Sequence, residues 1–170
     1  MRAPGSATAV AAADATAATT AAALTPQQIA DAVRVGMYAV DRATQSLGIT
    51  IDAMAPGSAT LRMTVRPDML NGLAGCHGGL ITTLADSAFA FACNSYNELT
   101  VASGLAIELM APAHEGDVLV AAASEVSRGG RLGLYDVVVT NQRGERVALM
   151  RGRSYTAKGK RTVELPDTAL

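Results

Sequence analysis

Residues 75–96 read GCHGGLITTLADSAFAFACNSY, and this stretch decides the fold. After His77 every side chain in it is uncharged except that of Asp86, so the pattern predicts a long helix that is apolar on nearly all sides. Such a helix must be covered by other elements, and an unpaired buried carboxylate costs on the order of several kcal/mol. We therefore expect a sheet that curls around residues 79–94, with Asp86 in or beside the core.

The segments on either side of this helix supply the sheet. Thr25 followed by Pro26 is typical of a helix start, and a loose helical pattern continues to Gly48. Alternating apolar and polar residues, separated by turn-forming pairs such as Pro56-Gly57, indicate strands. Six strands are predicted, at residues 49–54, 59–66, 101–110, 118–126, 132–140 and 146–155. The sequence therefore predicts an α+β fold with an antiparallel sheet.

The length of 170 residues suits one compact domain. Residues 1–24 are rich in alanine and threonine, which bury too little area to offset the entropy of ordering them, so we expect a disordered tail there. The folded domain is expected over residues 25–160, with a C-terminal tail over 161–170.

Composition excludes several classes of function. A net charge of -1 does not favour electrostatic binding to nucleic acid or to an anionic membrane. No apolar run is long enough to span a bilayer. Two cysteines and two histidines are too few for a structural zinc site or a disulfide framework. We therefore expect no metal, reduced thiols in the cytoplasm and a small-molecule partner.

The chemistry is indicated at the start of the apolar helix. Gly78 and Gly79 let a ligand approach the main chain, and the free N–H groups of a first helical turn favour a developing oxyanion. Such donors with a carboxylate nearby are the parts needed to hydrolyse an ester or thioester. Asp86 lies eight residues further on, about 12 Å along the axis, so one carbonyl cannot contact both. The pattern predicts a site shared by two copies of the chain.

The stretches MLNGLAGCHGGLITTLADSAFAFACNSY, VASGLAIELMAP and YDVVVTNQRGERVALMRGRSY, with the GD pair between the last two, resemble the hotdog-fold acyl-CoA thioesterases of the PaaI type. The likeness covers about residues 30–157. It implies a curved antiparallel sheet around a central helix, dimers that join their sheets edge to edge, and a dimer of dimers. It also implies a small aromatic acyl group, such as phenylacetyl or ring-hydroxylated phenylacetyl, and no cofactor.

The resemblance assigns roles to five residues. It implies that Asp86 is the catalytic carboxylate and that the Gly78 amide donates to the thioester oxygen. His77 and Asn71 correspond to the residues that steady the carbonyl and the attacking water. Ser103 falls where related thioesterases have a Ser or Thr that positions this water.

Several of these residues have simpler interpretations. Asn71-Gly72 is a common turn pair, and His77 could serve only to cap the helix. A thiol nucleophile at Cys76 is disfavoured, because residues adjacent in sequence usually point apart. His114 is expected to be solvated.

Two further questions stay open at the level of sequence. Asp86 can act directly as a nucleophile or through a water as general base. A 3-hydroxyacyl thioester dehydratase and a non-catalytic acyl-CoA-sensing module are alternatives to the thioesterase. Basic residues that could meet coenzyme A phosphates are Arg128, Arg131, Arg153 and Lys158.

Overall fold

The computed structural model describes residues 23–165. Residues 1–22 of the tail expected over 1–24, and residues 166–170 of the tail expected over 161–170, therefore lie outside the described residues. Within this range the structure has the predicted order of an N-terminal helix, two strands, a long helix and four strands, and it adds a second short α-helix and a 3-10 helix at Pro67–Met69. The helices are α1 (Pro26–Val40), α2 (Arg42–Ser46) and α3 (Gly78–Asn94). The strands are β1 (Thr50–Ala55), β2 (Ser58–Thr64), β3 (Thr100–Leu109), β4 (Val118–Gly129), β5 (Leu132–Thr140) and β6 (Arg146–Thr156).

The N-terminal helix is shorter than predicted. Thr25 caps α1 as expected, since its hydroxyl accepts from the Gln28 N–H at 3.2 Å. A single helix to Gly48 is wrong, because the chain breaks at Asp41. The Asp41 carboxylate accepts from the Thr44 N–H at 3.0 Å and from its hydroxyl at 2.6 Å, so it caps a second short helix.

The six strands form one antiparallel sheet in the order β1-β2-β4-β5-β6-β3. The chain crosses the sheet between β2 and β3 through α3, which contacts every strand. The predicted α+β hotdog fold is confirmed. Strands β1 and β3 are the edges, so each leaves one row of backbone groups unpaired within the described chain.

The core lies between α3 and the concave face of the sheet. The ring of Phe89 packs on Tyr135 with centroids 5.4 Å apart, and a Cβ at Gly152 would lie 3.0 Å from the same ring. Glycine in β6 therefore lets the helix approach the sheet. None of the described helices has the length and apolarity needed to cross a membrane. The α3 residues that are buried are Ile81, Leu84, Ala85, Ala88, Phe89, Phe91, Ala92, Cys93 and Asn94.

The packed part of the chain continues past residue 160, where the C-terminal tail was expected to begin. Asn97 accepts from the N–H of Val163 at 2.9 Å and donates to its carbonyl at 3.0 Å. Thr162 donates its hydroxyl to the Asn94 side chain at 2.7 Å. Val163 also packs beside Gly36 of α1, so this segment ties the two helices together.

Candidate active site

The first residue of α3 presents a free backbone donor. His77 is the N-cap, and its ring nitrogen Nδ1 accepts from the Gly79 N–H at 3.0 Å. The Gly78 N–H has no acceptor among residues 23–165. The Leu109 side chain closes over this position, since a Cβ at Gly78 would lie 2.6 Å from Leu109 Cδ1. The Gly78 amide is therefore a donor at the positive end of a long helix, as the sequence predicted.

Asn71 both makes a turn and presents a donor. Its side-chain oxygen accepts from the N–H groups of Leu73 and Gly75 at 2.8 and 3.3 Å. These bonds fix which end of the amide is oxygen, and the remaining NH₂ group has no acceptor among the described residues. The turn interpretation and the site interpretation of Asn71 are thus compatible.

His77 caps the helix, and this is the simpler of the two roles considered for it. In this cap Nδ1 is the acceptor, which leaves Nε2 as the ring nitrogen that can donate. The side chain is exposed, so Nε2 is available to a ligand.

Asp86 lies beside the core in the middle of α3, next to the fully buried Ala85. It is half-buried, and loss of solvent raises the pKa of its carboxyl. No donor from residues 23–165 compensates that desolvation. About 12 Å of helix separates it from the Gly78 amide. A single described chain therefore does not bring the two groups to one carbonyl.

Ser103 is on a bulge in the edge strand β3, between Ala102 and Gly104. Its hydroxyl donates to the Arg153 carbonyl at 3.1 Å. It lines a groove of about 640 Å³ with Leu134 and Arg153, on the face of the sheet that points away from α3. Ser103 is therefore apart from the cleft formed by Asn71 and Gly78.

An open cleft of about 390 Å³ lies at the start of α3. Its polar groups come from Asn71, Gly78 and His114, and most of its wall is apolar. Leu73, which forms part of this wall, is 90% exposed. The full lining is Asn71, Leu73, Gly75, Cys76, Gly78, Ile81, Leu109, Met110, Ala111, Pro112, Ala113 and His114.

Two residues of this cleft had no role in the sequence prediction. His114 was expected to be solvated; its ring is 64% exposed but forms part of the cleft wall. Cys76 is buried, and desolvation raises the pKa of its thiol, which makes a thiolate nucleophile less accessible. The sequence shows that His114 is in the turn-rich loop after β3, but it does not show that this loop lies against the start of α3.

None of the four basic residues considered for coenzyme A lines the cleft. Arg128 forms an ion pair with Glu98 and lies over the Tyr96 ring, while Arg131 donates to the Tyr155 hydroxyl at 2.6 Å. Within residues 23–165 no three His, Cys, Asp or Glu side chains are grouped as a metal ion would require.

Comparisons with known proteins identify the family of this chain. The family model described as the thioesterase superfamily matches residues 75–148, which include the start of α3 and Asp86. The acyl-coenzyme A thioesterase PaaI of Escherichia coli is 44% identical over 128 residues, which cover 75% of this chain and 91% of that protein.

Solved structures give the same result. The PaaI protein from the phenylacetic acid degradation operon of E. coli superposes with a TM-score of 0.75 at 41% identity, over 78% of this chain and 96% of that one. A hypothetical thioesterase from Streptococcus pneumoniae, crystallised with coenzyme A, superposes with a TM-score of 0.63 at 26% identity, over 66% and 90%. On this fold, these identities and this coverage, the chain belongs to the thioesterase superfamily, among its PaaI-like hotdog members.

Proposed function

We propose that this thioester hydrolase cleaves phenylacetyl-CoA or a ring-hydroxylated phenylacetyl-CoA to the free acid and coenzyme A. Support for the acyl group comes from the E. coli relative, whose structure is described as part of a phenylacetic acid degradation operon. Support for the coenzyme A part comes from the S. pneumoniae thioesterase that was crystallised with it. The mostly apolar cleft at Gly78 suits a small aromatic acyl thioester.

The observation that carries the proposal is the pair of groups on α3 that one chain leaves unused. The Gly78 amide has no acceptor and the Asp86 carboxylate has no donor among the described residues. Two antiparallel copies of α3 would bring the amide of each to the carboxylate of the other. The unpaired edge of β3 suits such a dimer, since Val101, Leu105 and Leu109 on this strand are exposed. A dimer of dimers is part of the same proposal.

In this site the Gly78 N–H polarises the thioester carbonyl and stabilises the oxyanion that forms there. The free NH₂ group of Asn71 and the Nε2 proton of His77 are further donors at the same end of the helix. Asp86 of the second copy approaches the carbonyl carbon from the opposite side. We also propose that Ser103 positions water, although its hydroxyl donates to the Arg153 carbonyl in the single chain.

The two routes for Asp86 differ in the bonds that form and break. As general base, the carboxylate takes a proton from water, the hydroxide adds to the carbonyl carbon, and the C–S bond breaks to release the coenzyme A thiolate. As nucleophile, the carboxylate displaces the thiolate and forms an anhydride that water then hydrolyses. A single turnover in ¹⁸O-labelled water distinguishes the routes, because only the anhydride route can leave ¹⁸O in Asp86.

Family membership favours hydrolysis over the dehydratase and the sensing module. In a dehydratase a histidine and a carboxylate share the acid–base work, but the Nδ1 of His77 is engaged in the helix cap. We place the protein in the cytoplasm, where a reducing environment preserves free thiols such as Cys76 and Cys93.

The test is a panel of acyl-CoA substrates with a dye that detects free thiol. We expect the highest kcat/KM with phenylacetyl-CoA and its ring-hydroxylated forms, and lower values with acetyl-CoA and long-chain acyl-CoA. Loss of a 3-hydroxyacyl-CoA without thiol release would indicate a dehydratase instead. Tight binding of acyl-CoA with no turnover of any substrate would indicate a sensing module.

A further inference from the structure

The loop after β3 forms one wall of the cleft and is joined to the start of α3. The Ala113 carbonyl accepts from the Cys76 N–H at 2.8 Å, one residue before the N-cap of α3. Next to Ala113, His114 is one of the residues lining the cleft that also contains Asn71 and Gly78. His114 is therefore placed relative to the Gly78 amide by a direct backbone hydrogen bond between the two segments.

A buried carboxylate holds this loop in place. Asp117 is only 5% exposed, and it accepts from the His114 N–H at 2.8 Å, from Gln142 at 2.8 Å and from Arg143 at 3.1 Å. These donors lower the pKa of its carboxyl, the His114 backbone bond most strongly. The ring nitrogen Nδ1 of His114 is 3.9 Å from the same carboxylate. Asp117 thus connects the turn between β5 and β6 to the wall of the cleft.

The absence of basic side chains from the cleft wall indicates which part of an acyl-CoA lies against it. No Lys or Arg side chain is among the residues that line the cleft, so the wall does not suit phosphates. The acyl group can remain enclosed, but the charged nucleotide must reach solvent. In the proposed site the thioester oxygen binds at Gly78. Because the His114 side chain is largely exposed at the same cleft, we expect the segment that passes it to be the uncharged pantetheine arm.

We propose that His114 hydrogen-bonds an amide of the pantetheine arm at the mouth of the cleft, and that Asp117 is a positioning residue that holds His114 there. The proposal rests on the proposed function in taking acyl-CoA as the ligand. It assigns His114 to substrate binding and gives it no part in bond cleavage.

The first experiment compares His114→Ala with Glu115→Ala, an exposed neighbour in the same loop that does not line the cleft. With phenylacetyl-CoA, loss of one hydrogen bond should raise KM about tenfold for His114→Ala and leave kcat within about twofold. With the phenylacetyl thioester of ethanethiol, which has no pantetheine arm, His114→Ala should match the wild type. Glu115→Ala should match it with both substrates.

Further variants separate binding from structural damage. His114→Gln retains a donor and an acceptor and should recover part of the lost affinity. Asp117→Asn should raise KM for phenylacetyl-CoA, and adding it to His114→Ala should raise KM little further, because Asp117 acts through His114. An equal loss on both thioesters, or no loss on either, would overturn the proposal.

Titration of coenzyme A itself by calorimetry makes the test independent of the acyl group. We expect His114→Ala to bind coenzyme A about tenfold more weakly than the wild type or Glu115→Ala, by the same single-bond argument. Equal affinity of the wild type and His114→Ala refutes the role of His114, whichever acyl group the enzyme hydrolyses. A wild type that binds coenzyme A but cleaves no phenylacetyl thioester would refute only the proposed substrate.

Discussion

Asp86 carries a carboxylate that the described chain leaves partly desolvated and without a donor. Replacing it by Asn, which has nearly the same shape, should lower kcat at least about a hundredfold, the range that an acid–base or nucleophilic group contributes. KM should change little, and the free energy of unfolding should rise because a destabilising charge is removed. Steady-state kinetics and urea denaturation measure the two effects.

The dependence of stability on pH has a definite sign. Because folding raises the pKa of Asp86, the folded state holds this proton more tightly than the unfolded state does. The contribution of Asp86 to stability is full below its ordinary pKa and is lost as pH rises through the folded pKa. The Asn variant should lack this decline. Unchanged kcat with a normal KM would remove Asp86 from the chemistry.

The role of a residue could be predicted from the sequence when its surroundings come from neighbouring residues in the chain, and not when they come from distant segments. The N–H of Gly78 and the lone charge of Asp86 follow from their positions in one helix, which the sequence displays directly. His114 could not be found this way, because its place in the cleft depends on the hydrogen bond between Ala113 and Cys76, which are distant in sequence. Ser103 lies on a bulge, where simple alternation no longer tells which face of the strand a side chain occupies.

At the scale of elements, the buried carboxylate of Asp117 joins the loop after β3 to the turn between β5 and β6. Asp117→Asn should lower the free energy of unfolding at pH 7 by about 2 kcal/mol, since it weakens hydrogen bonds to a buried charge. Folding lowers the pKa of Asp117, so its stabilisation is present above the ordinary Asp pKa and is lost as pH falls through the folded pKa. Urea denaturation from pH 7 down to pH 3 measures the difference.

The matched control is Asp136→Asn, which breaks the exposed bidentate pair with Arg151. An exposed pair contributes at most about 1 kcal/mol, so this variant should lose less than Asp117→Asn. If both variants lose the same amount, the buried network around Asp117 does not hold the loop as described.

The segment after β6 gives a second prediction for an element. A chain that ends at residue 160 loses the hydrogen bonds of Thr162 and Val163 to Asn94 and Asn97, and the packing of Val163 beside α1. We expect its melting temperature to fall by several degrees, at about 4 °C per kcal/mol of lost stability for a domain of this size. A chain that ends at residue 165 is the control and should melt like the full-length protein. Equal melting temperatures of the chains that end at residues 160 and 165 would support the predicted domain boundary at residue 160.

Element boundaries were predictable where the local signal was complete. The helix start at Thr25-Pro26 was predicted from the sequence, as was the turn at Pro56-Gly57, where Gly57 takes a positive φ of 74°. The break at Asp41 was missed because the apolar pattern suggested one continuous helix. Asp41 caps α2 through hydrogen bonds from Thr44, and the spacing of apolar residues gives no information about such polar contacts.

At the scale of the whole molecule, the wrapped helix followed from one physical argument, since an apolar helix has to be covered. The order of strands did not follow from that argument. The pairing of β2 with β4, and of β3 with β6, requires contacts between distant segments, and no strand order was predicted from the sequence. The same pairing leaves β3 at an edge, where a second copy could extend the sheet.

Whether two copies share each site can be tested with two inactive variants. Asp86→Ala removes the carboxylate. Asn71→Asp keeps the oxygen that accepts from Leu73 and Gly75, so the loop should persist, but it replaces the donating NH₂ group. The two variants are unfolded together and refolded, with chain exchange verified by native mass spectrometry. Two different Asp86 variants mixed in the same way are the control and should stay inactive.

The expected activity of the mixture follows from the symmetry of a dimer. With random pairing about half of the dimers are mixed, and in each mixed dimer one site carries both lesions while the other carries neither. Activity should therefore return to about a quarter of the wild-type level, because one site in four is intact. If each site were contained within one chain, every site would still carry one lesion and nothing would return. An inactive mixture with confirmed chain exchange would therefore refute the shared site, and the partly desolvated Asp86 would need another explanation.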